Sequence, residues 1–113
     1  MLILKIFRRH EWDAFRRAGE TVGAPVDLAD GFIHFSTAAQ VAETAAKHFA
    51  GQMDLLLVAI DGATLGDALK WEPSRGGALF PHLYAPLDPR AAVSVRPLPL
   101  GADGAHDFSG MLA

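Results

Sequence analysis

A chain of 113 residues, half of them apolar, can bury one hydrophobic core without a metal or disulfide staple and is too short for a second domain of ordinary size. It has no cysteine, which excludes disulfides, thiolate metal sites and cysteine nucleophiles together. Its net charge of −3 is scattered rather than blocked, so neither a nucleic-acid polymer nor an anionic membrane is an expected partner.

Leu2 to Phe7 is rich in branched apolar residues and is closed by Arg8-Arg9, which predicts a first strand with Lys5 on the face of Ile3 and Phe7. The run is too short for a secretion signal, and the longest apolar run elsewhere, Leu55 to Ile60, cannot span a bilayer, so a cytoplasmic location is expected. Glu11 to Ala18 predicts a helix with Trp12, Phe15 and Ala18 beneath and Gly19 at its stop. Glu20 to Asp30, with Gly23 and Pro25, predicts a loop or irregular crossing that ends in the Asp30-Gly31 turn. Phe32 to Ser36 then reads as a strand with Phe32, His34 and Ser36 on one face and Ile33 and Phe35 on the other. Thr37 and Gln40 have capping-box spacing, predicting a helix from Thr37 whose Val41, Ala42, Ala45, Ala46 and Phe49 share a stripe ending at Gly51.

Asp54 to Ile60 is an unbroken apolar run of strand length, as a central strand covered on both faces requires. Leu69 to Glu72 is a short alternating strand stopped by Pro73, and if Trp71 packs inward Glu72 points to solvent. Ser74 to Gly77 is flexible by composition and predicts a mobile lip carrying Arg75. Leu79 to Tyr84 sets Phe80, His82 and Tyr84 against Leu79, Pro81 and Leu83, and Pro81, which lacks a donor, points to an edge strand or a bulge. Ala92 to Leu98 reads as the last strand, and residues 101–113 as a partly ordered tail after a single α+β domain over residues 1–100.

The five histidines, at 10, 34, 48, 82 and 106, give no pair at metal-ligand spacing, so no metal site is expected. A phosphate-cradling glycine loop, a dinucleotide fingerprint and a Gly-x-Ser-x-Gly elbow are all missing. What remains is His34 and Ser36 on one strand and His82 and Tyr84 on another, each beside a phenylalanine, Phe32 or Phe80. Such residues either hydrogen-bond within a core or line a pocket with apolar walls. Ser36 or Thr37 can serve as a helix cap and still present amides to an anion. Arg75 is either a phosphate clamp or a surface charge.

The strings Asp30-Gly31-Phe32-Ile33-His34-Phe35-Ser36-Thr37 with Gln40-Val41, Asp54-Leu55-Leu56-Leu57, Trp71-Glu72, and Phe80-Pro81-His82-Leu83-Tyr84 with Pro86-Leu87 resemble the domain-of-unknown-function 952 family of small bacterial proteins, from about Leu2 to Leu98. That family is similar in fold to the ADP-ribosyltransferase group. The resemblance implies split, strongly bent mixed β-sheets with two main helices and a cleft that holds NAD between the sheets. It sets His34 where the transferases have a nicotinamide-stacking tyrosine, and Lys5 near their first-strand His or Arg. Glu72 precedes the strand that bears their catalytic glutamate, and His82 falls at that glutamate's position.

These residues give three readings. In the first, the cleft binds NAD, ADP-ribose or another phosphorylated small molecule, with His34, His82 and Glu72 as catalytic groups and Lys5, Phe32, Ser36, Thr37, Arg75, Phe80 and Tyr84 as ligand contacts. In the second, the chain is a binding module without catalysis. In the third, a His34/His82 pair serves a hydrolase or isomerase of an unrelated metabolite. A monomer or weak homodimer is expected in each case.

Overall fold

The computed structural model describes residues 1–111, apart from the side chain of Arg75. Along the chain the elements are β1 (Leu2–Arg8), α1 (Arg9–Ala18), α2 (Pro25–Asp30), β2 (Ile33–His34), α3 (Val41–His48), β3 (Leu55–Asp61), β4 (Leu69–Pro73), β5 (Leu79–Leu83) and β6 (Ala92–Leu98). They make a small single α+β domain. Strand β3 is buried at six successive positions and lies in the middle of an antiparallel sheet ordered β1-β3-β6, as its unbroken apolar run predicts. Its alternating side chains feed two cores. Leu56, Val58 and Ile60 meet Ile3, Phe7, Ile33, Phe35 and the α1 residues Trp12 and Phe15, whereas Leu55, Leu57 and Ala59 meet Leu4, Ile6, Val41, Ala45 and Leu98.

The second sheet, β2-β5-β4, is also antiparallel. The mixed sheets expected from the resemblance are therefore replaced by wholly antiparallel pairing of the named strands. Strand β5 is central, not an edge. Its Pro81 carbonyl accepts from the Phe35 amide at 3.0 Å, so the missing proline donor falls just where the ladder with β2 ends and costs no regular bond. The two sheets share the first core, and among the described residues a backbone bridge joins them where Leu4 and Ser36 exchange hydrogen bonds of 2.7 and 2.8 Å. Beyond it β1 and β2 are not paired, and the His34 amide and carbonyl bond instead to the Asp27 and Lys5 side chains.

Local expectations are met unevenly. Helix α1 ends at Gly19, which takes the left-handed conformation (φ 81°), but Ala18 is exposed and only Trp12 and Phe15 are buried beneath it. The expected loop before Asp30 contains helix α2, opened by Pro25 and closed by Gly31 (φ 87°). Helix α3 starts at Val41 and not Thr37, although the reach-back of the capping box is present: Gln40 Oε1 accepts from the Thr37 amide (3.0 Å) while its Nε2 donates to the Leu79 carbonyl of β5 (2.8 Å). After β6 the chain folds back, with Phe108 and Met111 packed on the second core. Among the described residues no helix is long and apolar enough to cross a membrane.

Candidate functional site

Where β1 and β2 stop pairing lies a cleft of about 900 Å³ whose lining draws on β1, α1, α2, β2 and α3 and includes both His34 and His82. These histidines are opposite each other in the β2–β5 ladder, and their rings stand edge to face with centroids 5.4 Å apart. Phe32 lies over the pair, stacked on His82 at 4.1 Å and tilted against His34 at 4.6 Å and Tyr84 at 5.1 Å. The strand alternation that sets Phe32 and His34 on one face thus extends across two strands.

His34 is anchored by α2. Its Nδ1 is 2.6 Å from Asp27 Oδ1 and its Nε2 is 2.9 Å from Asp30 Oδ2, an arrangement fully satisfied when both ring nitrogens carry a proton. Asp27 is completely buried. Besides His34 Nδ1 it accepts from the Ala24 amide (2.7 Å), the His34 amide (3.0 Å) and Lys5 Nζ (3.1 Å). Burial alone raises the pKa of this carboxyl, but the His34 hydrogen bond, the Lys5 charge and the two amides outweigh it and hold it at about 2. Lys5 also donates to the His34 carbonyl at 3.1 Å, and its ammonium lies 5.8 and 5.9 Å from the Phe7 and Phe35 ring centroids.

His82 is held from β4. Glu72 Oε1 is 2.8 Å from His82 Nδ1 and accepts from the Tyr84 hydroxyl at 2.7 Å. The Tyr84 and His82 hydrogen bonds lower the Glu72 pKa, and the same carboxylate raises that of Tyr84. The outward Glu72 expected from an inward Trp71 is reversed: Trp71 is 38% exposed, and Glu72 turns toward β5. His82 Nε2 has no partner among the described residues. Since no buried side-chain nitrogen or oxygen there is left unpaired, this atom reaches accessible space.

The other expected contacts divide. Buried Phe80 lines the cleft. Ser36 lines it as well, but its hydroxyl pairs with that of Thr44 at 2.9 Å and its amide is spent on Leu4. The Thr37 amide is taken by Gln40, so neither amide faces an anion. The Arg75 side chain lies outside the described residues. Asp27 and Asp30 are missing from the residues expected from sequence. The signal that could have found Asp27 is its place three residues after Ala24 behind a helix-opening proline, where a carboxylate caps the first turn. Among the described residues no group of three or more His, Cys, Asp or Glu side chains has metal-binding geometry.

Residues 6–95 match the family described as "Protein of unknown function (DUF952)". The chain is 51% identical to protein CC0527 of Caulobacter crescentus, whose crystal structure it matches with a TM-score of 0.95 over 99% of this chain and 98% of that one. The solution NMR structure of that protein matches at 52% identity and a TM-score of 0.86, covering 95% of this chain and 92% of the other. No curated protein matches the chain.

Proposed function

The chain belongs to the DUF952 family, and on that premise we propose that its cleft binds a small organic ligand of the NAD or ADP-ribose type, with His82 exchanging a proton with it. The observation that carries this reading is the pair of imidazoles, drawn from β2 and β5 and set 5.4 Å apart on the wall of one cleft. The two rings differ in what they can do. His34, committed at both nitrogens, offers a ring on which a planar group can lie. His82 has Nδ1 tied to Glu72, which fixes the tautomer with its lone pair on Nε2 and stabilises the imidazolium that forms when that atom takes a proton. Tyr84 and Glu72 orient this base. The volume lies within the range of small-molecule sites. The choice of ligand class rests on the likeness to ADP-ribosyltransferases that the sequence resemblance implies, in which the cleft lies between two sheets.

A second reading, a binding module without catalysis, is favoured by one observation: Lys5 and His34 are both paired with buried Asp27, and Glu72 is paired with His82 and Tyr84, so these charged groups already have partners within the protein. Calorimetric titration with NAD, ADP-ribose and AMP tests the ligand class. Heat is expected with at least one of them and should be lost in His34→Ala; no heat with any at millimolar ligand would contradict the proposal. Turnover that disappears in His82→Ala while binding persists separates the enzyme from the module.

A further inference from the structure

The cleft exists because β1 and β2 stop pairing, and the backbone explains how they are kept from continuing. In a strand the N–H and C=O of one residue point to the same side, and those of the next residue to the other. Leu4 directs both groups to Ser36, so Lys5 directs both to β3 and Ile6 directs both back toward β2. Carried one step further, the Leu4–Ser36 register would pair Ile6 with His34 through two backbone hydrogen bonds. That pair is absent. The His34 amide donates to Asp27 Oδ1 at 3.0 Å and its carbonyl accepts from Lys5 Nζ at 3.1 Å, while the Ile6 groups have no partner among the described residues.

We propose that Lys5 and Asp27 are a side-chain wedge that takes the place of Ile6 along the edge of β2, holds the two strands apart and so keeps the cleft open. The wedge does not depend on what the cleft binds. Its chemistry suits the position, because carboxylate and ammonium present one acceptor and one donor, the complement of a strand residue's amide and carbonyl. Both are withdrawn from solvent, with side-chain exposures of 0 and 10%. Their desolvation is compensated because Asp27 gathers four donors and Lys5 two acceptors. Asp27 is aimed by α2, and Gly23 makes room for it, since a Cβ there would overlap Asp27 Cβ and Oδ2. Ile6 is left as a bare edge on the cleft wall, with a donor and an acceptor side by side. Lys5 and Asp27 are thus positioning residues, acting on any ligand through the width of the cleft.

Residue-resolved amide hydrogen exchange on the intact protein tests the wedge. In the wild-type chain the Ile6 amide should exchange at least about tenfold faster than those of Lys5 and Phe7, which pair with β3. In Lys5→Met, which leaves Asp27 three of its donors, the freed His34 carbonyl should recruit Ile6 and slow its exchange about tenfold. Lys5→Arg, which can still donate to that carbonyl, should keep the wild-type pattern. A wild-type Ile6 amide as protected as its neighbours would overturn the proposal without any variant. So would a folded Lys5→Met in which Ile6 stays unprotected.

Discussion

Asp27 accepts four hydrogen bonds, one each from Lys5 and Ala24 and two from His34, and its ionisation links the site to stability. Its pKa is about 2 in the folded protein against an ordinary 3.8, so the folded state favours the carboxylate. That preference stabilises the fold by about 2 kcal/mol at pH values above the unfolded pKa, and is lost as pH falls from roughly 4 through 2. Urea unfolding at about pH 6 and pH 2.5 should reveal this loss in the wild-type chain, and Asp27→Asn should lower stability at the higher pH while flattening the acid dependence. An unchanged acid slope in Asp27→Asn would contradict the assignment. His34, Phe32, His82 and Tyr84 are legible from sequence because period-two alternation fixes which side chains share a face, whatever the strand partner. Glu72 is legible as a candidate but not in its direction, since Trp71 is apolar yet only partly covered. Asp27 escapes because nothing local distinguishes a buried carboxylate from a helix-capping one; its burial follows from Lys5, 22 residues away.

Helix α2 is the element that turns two carboxylates into a clamp. Asp27 and Asp30, three positions apart, fall on one helical face and receive the two nitrogens of His34. The helix is six residues long and gains little from propensity, so its place depends on Pro25 at the start, Gly31 at the end and the packing of Asp27 over Gly23. Gly23 has φ +109°, a conformation open to glycine, and a methyl group there would collide with Asp27. Gly23→Ala is therefore expected to destabilise the protein by about 2 kcal/mol or more, read as a lower urea midpoint with an unchanged slope. A stability equal to wild type would mean that α2 is not seated as described. Long elements with strong patterns, β3 and α1, are foreseeable within a residue or two. At the start of α3 the capping reach of Gln40 to the Thr37 amide is foreseeable, whereas its second bond, to the Leu79 carbonyl 39 residues away, is one that no local capping rule contains.

At the scale of the whole molecule, two antiparallel sheets meet at Leu4–Ser36 and part beyond it. The fold class follows from the alternation of strand and helix patterns, and the centrality of β3 from its apolar run. The split itself cannot be read locally. It needs β1, β2 and α2 brought together so that side-chain groups take over one step of a backbone ladder. Both histidines stand on the β2–β5 wall of the cleft, and the functional proposal stands on their acting as one site. The most direct measurement follows the imidazole resonances of His34 and His82 by NMR as ADP-ribose is added, with His106, whose Nε2 lies 2.8 Å from the Gln52 carbonyl, as an internal control. Both rings are expected to shift along one saturation curve while His106 stays in place. Rings that do not move at millimolar ligand, or that follow separate curves, would contradict a shared site.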